Sequence, residues 1–259
     1  MKNSLRISLT SRCNFACDYC HEEGYSTQEE MSIAEIQRIV SHYAASGISR
    51  VKLTGGEPML RKDILDIIRV MKAVPGIREV SMVTNGYLLD ELAMKLKEAG
   101  LDRVNIGCDS LLATDKNAAA AEQKILAAKK AGLIPIHLNM VVLKGINDHE
   151  ISGMMAFAKK HDCILKLIEL INVNNDYYQK HYFSLESLES ELGRKAETVI
   201  ARDQHNTKQY FVDGCVVEVV RPFSPGFCSN CTKIRVTADG KYMPCLVRQH
   251  ICEVSHGNS

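Results

Sequence analysis

Through the first two-thirds of the chain, short apolar runs alternate with longer stretches whose apolar residues recur every three or four positions. The short runs predict strands at Ser4–Leu9, Arg50–Leu53, Glu79–Val83, Arg103–Gly107, Ile136–Val142 and Ile164–Ile168. The longer stretches predict helices at Ile33–Ala45, Lys62–Lys72, Leu89–Glu98, Ala118–Ala131 and Glu150–Lys160, with a sixth near Leu185–Leu192. Alternation of this kind implies an α/β fold, a parallel sheet with helices outside. One helix start reads in detail. Ser32 can cap the first N–H groups, Glu35 can reach back, and Met31 can pack on Ile36, which together form a capping box with a hydrophobic staple. Gly47, Gly100 and Gly132 each follow a helical segment and suit C-caps.

Strand–helix units in this number predict a partial (β/α)6 barrel over residues 1–197, since eight units need more chain. After Glu197 the pattern changes. Gln209–Val212, Cys215–Val220, Lys233–Thr237 and Lys241–Pro244 are strand-like pieces separated by Asp-Gly and Pro-Gly turns. They predict a small second module over residues 198–259.

The formal net charge of the 259 residues is +1, so no overall field draws the chain to nucleic acid or to a membrane surface. No run of about 18 apolar residues suggests a span. The first cysteine motif starts at Cys13, too early to leave room for a signal peptide's apolar stretch. The expectation is a cytoplasmic protein. In a reducing compartment the ten cysteines point to metal more readily than to disulfides.

Cys13, Cys17 and Cys20 fall within eight residues, just past the first predicted strand. Three thiolates can wrap one centre, and the number three is informative. A structural zinc site closes with four ligands, whereas a 4Fe–4S cluster on three cysteines keeps one iron open. That iron can chelate the amino and carboxylate groups of a methionine, and one electron can cleave a sulfonium. A zinc site completed by His21 or a distant residue is the competing reading. Gly55-Gly56-Glu57-Pro58 ends the second predicted strand at the same level. Its glycines permit close backbone approach and Glu57 can accept from an ammonium. Cys228, Cys231 and Cys245 form a second set of three, with the hairpin-like Arg235–Lys241 between them. Alone they suit a zinc knuckle; beside the first set they suit an auxiliary 4Fe–4S cluster. Cys252 stays open as a fourth ligand. Cys215, Cys108 and Cys163 read as packed core thiols.

The segments Leu5–Cys20, Leu53–Asp63 and Phe227–Leu246 resemble the radical S-adenosylmethionine (SAM) superfamily, and within it the GTP 3′,8-cyclase family of molybdenum cofactor biosynthesis. The resemblance covers nearly the whole chain. It implies a radical SAM barrel with an auxiliary-cluster module, and a lyase with two 4Fe–4S clusters. Such an enzyme cleaves SAM to a 5′-deoxyadenosyl radical, abstracts the ribose 3′ hydrogen of a GTP-like nucleotide and cyclises it onto C8. It implies SAM contacts at Tyr19, Gly55, Gly56, Glu57, Thr84, Asn85, Gly107 and Ser110. Substrate contacts would fall at Arg6, Lys52, Val83, Lys144, Lys166, Lys233 and Arg235, the last two forming the catalytic basic pair that orients the nucleotide. An electron donor such as flavodoxin or ferredoxin is implied, and a homodimer is compatible with it. The chain departs from the family's pattern in three ways. Lysines stand at 52, 166 and 233 where arginines are usual, which keeps charge but loses the bidentate fork. The stretch from Ser110 to Ala118 is short. The chain ends at Ser255-His-Gly-Asn-Ser259 rather than in a Gly-Gly tail. A different nucleotide, or a peptide, is the alternative substrate, and a zinc-binding module the alternative without catalysis.

Overall fold

The computed structural model describes residues 3–21, 23, 27–112, 118–172, 174–202, 207–222 and 224–245. Cys252 lies outside them. The chain gathers into two compact units, one of Met1–Arg103, Ala131–Leu133 and Thr232–Ser259, the other of Val104–Lys130 and Ile134–Cys231.

In the first unit, β1 (Ser4–Ser8), β2 (Arg50–Thr54) and β3 (Glu79–Thr84) run parallel, and β10 (Lys233–Val236) adds in parallel beside β1. The two-residue β11 (Tyr242–Met243) closes this sheet antiparallel to β10. Leu5 and Ile7, Val51 and Leu53, and Val80 and Met82 alternate into the core. They meet the apolar faces of α1 (Ile33–Ala45), α2 (Ile64–Lys72) and α3 (Leu89–Glu98), whose Ile36, Val40, Ile67, Met71 and Leu96 are buried. The start of α1 has the expected capping box: Glu35 N–H donates to Ser32 Oγ, and Ser32 N–H to Glu35 Oε2 at 2.8 Å. Gly47 and Gly100 end their helices at φ of +90° and +108°, the left-handed region a C-cap requires.

In the second unit the strand order is β4 (Arg103–Gly107), β5 (His137–Val142), β6 (Ile164–Glu169), β9 (Cys215–Val220), β8 (Lys208–Val212), β7 (Thr198–Ala201). β4, β5, β6 and β9 are parallel; β7 and β8 are antiparallel additions. Asp213-Gly214, both at positive φ, make the predicted Asp-Gly turn between β8 and β9. Helices α4 (Ala118–Lys130), α5 (Ile151–Lys160), α6 (Asn175–His181) and α7 (Glu186–Lys195) complete the unit. The expected strands and helices all form. α6 and β7 were not expected: α6 buries no residue and all four residues of β7 are exposed, so neither writes an apolar period into the sequence. The fold is α/β with a predominantly parallel, unclosed sheet, a partial (β/α)6 barrel. Among the described residues, no helix is long and apolar enough to cross a membrane.

Candidate functional site

The loop that leaves β1 carries Cys13, Cys17 and Cys20. None of the three is in a disulfide; Cys13 and Cys20 are exposed and Cys17 half-buried. The loop is anchored from behind by Arg61, a buried residue that sequence reasoning passed over. Its guanidinium donates to the carbonyls of Leu9 and Met31 at 3.1 and 3.0 Å and forks onto Asp63 at 2.8 and 2.7 Å. The signal was present: an arginine two residues before an aspartate, directly after Pro58-Met-Leu60.

The Gly-Gly pair meets the same loop by backbone. Gly56 N–H donates to the Thr10 carbonyl at 2.7 Å and Glu57 N–H to the Arg12 carbonyl at 2.8 Å. A Cβ on Gly56 would lie 2.0 Å from the Arg12 oxygen, so only glycine admits this approach. Glu57 is fully buried. Its carboxylate accepts from Met59 N–H at 3.1 Å, Thr84 Oγ1 at 2.8 Å and Asn85 N–H at 2.7 Å. Thr84 and Asn85, at the end of β3, are thereby fixed beside the cysteine loop. Asn85 Nδ2 donates to Asn14 Oδ1 at 2.8 Å and lies 3.9 Å from Cys13 Sγ, which also accepts from Phe15 N–H at 3.4 Å.

These residues fit an iron–sulfur cluster. Three cysteines outside any disulfide share one loop, N–H donors are aimed at the Cys13 sulfur, and a glycine cradle holds the loop's backbone. Among the described residues, no three His, Cys, Asp or Glu side chains are gathered as a single bound ion would need.

Across the first unit's sheet, Arg235 on β10, Arg6 on β1 and Lys52 on β2 stand in register, with Ser81 next on β3. Aligned positions on parallel strands project to the same face, so the three cations are neighbours. Arg235 is 8% exposed; its Nη1 reaches the Pro244 carbonyl at 3.5 Å and its buried Nε has no partner. Arg6 is fully engaged. Its Nε donates to Glu23 Oε2 at 2.8 Å, its Nη2 to Glu23 Oε1, and Nη2 also reaches Thr54 Oγ1 at 3.3 Å. Burial alone would raise the Glu23 carboxyl, but the charge and hydrogen bonds of Arg6, with His21 and Thr54, bring it down to about 2. Burial lowers His21, and the nearby Arg6 and Arg235 charges add to this. Lys233 opens β10 opposite Ser4.

In the second unit, Gly107 ends β4 exposed, and Ser110 Oγ donates to the buried Glu150 at 2.7 Å. Lys144 is exposed beyond β5. Lys166 holds Glu218 on the neighbouring β9 at 2.7 Å, in register with it. Burial would raise the Glu218 carboxyl, but Lys166, His137 and Arg202 bring it to about 2. Gln209 Nε2 donates to its other oxygen at 2.7 Å. Lys166 is therefore a neutralised cation, which its place in the sequence did not reveal. Cys228 is exposed and Cys231 half-buried in one turn, Cys231 N–H donating to the Cys228 carbonyl at 3.1 Å. Cys245, in the first unit, is half-buried past β11. Cys108, Cys163 and Cys215 are buried, and burial pushes the first two thiols up to about 12.

Two family models match the chain. That of the radical SAM superfamily covers residues 7–158, and that named Molybdenum Cofactor Synthesis C covers residues 163–256. Among similar curated proteins is a probable GTP 3′,8-cyclase of Pyrococcus horikoshii, 45% identical over 264 residues, covering 95% of this chain and 84% of that one. Others so named come from Methanosarcina acetivorans, 43% identical over 98% of this chain and 81% of its own, and Methanothermobacter marburgensis, 39% identical over 95% and 84%. Of solved structures, Streptococcus suis SuiB bound to precursor peptide SuiA matches with a TM-score of 0.71 at 13% identity, covering 97% of this chain and 62% of that one. Native anSMEcpe with bound AdoMet matches with a TM-score of 0.64 at 17% identity, covering 95% and 75%. At these identities the structural matches speak to fold alone.

Proposed function

The chain belongs to the radical SAM superfamily and, within it, to the GTP 3′,8-cyclase family; on that premise we propose that it acts on a purine nucleoside triphosphate, abstracting the ribose 3′ hydrogen and closing the ring onto C8. As a radical SAM enzyme it uses SAM and an iron–sulfur cluster. Cys13, Cys17 and Cys20 would hold that cluster. When bound, the cluster supplies the electron that cleaves SAM to a 5′-deoxyadenosyl radical. We assign a second cluster to Cys228, Cys231 and Cys245, and an electron donor of the flavodoxin or ferredoxin class.

The observation that carries the substrate reading is the row Arg235–Arg6–Lys52. Three cations in register on one sheet face suit a polyphosphate, which needs several positive groups away from bulk water. The buried, unpartnered Nε of Arg235 is a donor still owed an acceptor. The chain's own contribution is to position. Gly55 and Gly56 bring β2's end against the cysteine loop, Glu57 fixes Thr84 and Asn85 beside it, and the row of cations would hold the phosphates. Reconstituted protein given GTP, SAM and dithionite anaerobically should release 5′-deoxyadenosine and consume GTP to a 3′,8-cyclised product. Deoxyadenosine with GTP untouched would refute the reading.

A further inference from the structure

We propose that Glu23 is an internal anion that sits in the phosphate seat on Arg6, so that a substrate must displace it to bind. This rests on the reading of the Arg235–Arg6–Lys52 row as a nucleotide's phosphate seat and adds to it the residue that sets how readily the seat opens.

The contact has the form a bound phosphate would take. Both Glu23 oxygens are gripped by the Arg6 fork, and Thr54 Oγ1 donates to Glu23 Oε1 at 2.7 Å. The carboxylate replaces neither neighbouring cation. Arg235 keeps an unpartnered buried Nε, and Lys52 stands in register on the other side. Beside the Arg6–Glu23 pair, the buried Arg235 Nε is a donor that the carboxylate leaves unmet, and a ligand with more acceptor oxygens than a carboxylate can take it. Glu23 holds its place at a cost. Its backbone is at φ +54°, the left-handed region that a glutamate seldom adopts, with its N–H donating to His21 Nδ1 at 3.1 Å. A strained residue that swaps one anion for another releases that strain when it leaves.

Competition of this kind weakens every anion by the same factor. At a fixed concentration a weak ligand such as orthophosphate then falls below occupancy, while a triphosphate still binds. Glu23 thus acts on specificity through a threshold rather than through contacts.

The test is calorimetric titration of the anaerobically reconstituted protein with tripolyphosphate, orthophosphate and GTP, comparing wild type with Glu23→Gln. Glu23→Gln should bind tripolyphosphate about tenfold tighter, the scale of one part-buried ion pair, and orthophosphate by the same factor. Thr54→Val, which removes one donor to Glu23 and leaves the charges unchanged, should tighten both by a smaller factor. Unchanged or weaker tripolyphosphate binding in both variants would overturn the proposal, because Glu23 would then only orient Arg6. If tripolyphosphate tightens and GTP does not, Glu23 still occupies the seat, but the nucleotide reading fails.

Discussion

Gly56 packs its backbone directly against the cysteine loop, and Gly56→Ala tests that contact. The new Cβ would lie 2.0 Å from the Arg12 oxygen, 2.5 Å from the Arg12 carbonyl carbon and 2.8 Å from the Ser11 oxygen, all backbone atoms that no rotamer change can move. Ordinary contact needs about 3.5 Å, so the Arg12 carbonyl must retreat by about 1.5 Å. That same carbonyl accepts from Glu57 N–H at 2.8 Å, and the retreat breaks the bond. Overpacking costs about 1–3 kcal/mol and the lost hydrogen bond about 1 kcal/mol, so the loop next to Cys13 is disfavoured by about 2–4 kcal/mol. If the whole fold bears this, the melting temperature falls by roughly 5–10 °C; if the loop alone yields, it moves less. In both cases iron and sulfide per chain after anaerobic reconstitution should fall, by up to about half if the second cluster is retained. Gly153→Ala is the control. An added Cβ there, inside α5, meets nothing within 4 Å, so the change should stabilise the helix by up to about 1 kcal/mol and leave iron content alone. Wild-type iron and melting temperature in Gly56→Ala would refute the claim that the motif's glycines exist to hold the cysteine loop.

Three further outcomes follow from other parts of the structure. The Glu218 carboxyl is depressed from 4.5 to about 2, so the stability it confers is complete above about pH 4.5 and is lost as pH falls towards 2. Urea denaturation of wild type and Glu218→Gln should therefore differ by at most about 3 kcal/mol at pH 6, the gap should narrow steadily below about pH 4.5 and close only below about pH 2, and parallel curves would sink the assignment. Asn85→Asp keeps the oxygen that accepts from Tyr87 N–H but puts a carboxylate where an amide N–H faces Cys13. The cluster's midpoint potential, followed by EPR during a redox titration, should shift negative while the loop stays folded, and an unshifted midpoint would remove Asn85 from the sulfur's environment. Cys228→Ser should roughly halve the iron bound by reconstituted protein, and full iron retention would disprove a second cluster at Cys228, Cys231 and Cys245.

The strands and helices of the first two-thirds were legible because each writes one clear period into the sequence and buries that face. Ser32 and Glu35 named their own capping box because the interaction is local. α6 and β7 were illegible for the converse reason: one buries nothing and the other is an exposed edge, so no periodic constraint marks them. The candidate site was legible as chemistry and illegible as geometry. Three cysteines and a Gly-Gly-Glu-Pro motif announce a cluster loop, but nothing in their spacing says that Glu57 is fully buried and grips Thr84 and Asn85. The row Arg235–Arg6–Lys52 joins the two ends of the chain through the pairing of β10 with β1, a register that no local pattern encodes. Glu218, a carboxylate in the run Val216-Val-Glu-Val-Val220, carries the same signal as Lys52 and Lys166, a charge interrupting an apolar strand, but only the pairing of β6 with β9 tells that it meets Lys166.

A basic residue in an apolar strand is available to an anion only if no carboxylate of the fold already meets it. Lys166 and Arg6 look alike in the sequence as potential phosphate ligands, yet each meets a buried carboxylate. Lys166 and Glu218 sit on adjacent strands at aligned positions, and Gln209 secures the carboxylate's second oxygen, so the pair is built into the sheet and presents a dipole rather than a net charge. Glu23 differs in kind. It comes from outside the sheet, at a positive backbone φ, and covers Arg6 while Arg235 beside it keeps an unpartnered donor. A carboxylate fixed by sheet register can be removed only by disrupting the sheet; one held from outside the sheet can be exchanged for a ligand without unpairing any strand. The net positive field available to an anion in the first unit therefore depends on where Glu23 sits, whereas the charge at Lys166 is cancelled for as long as β6 and β9 stay paired.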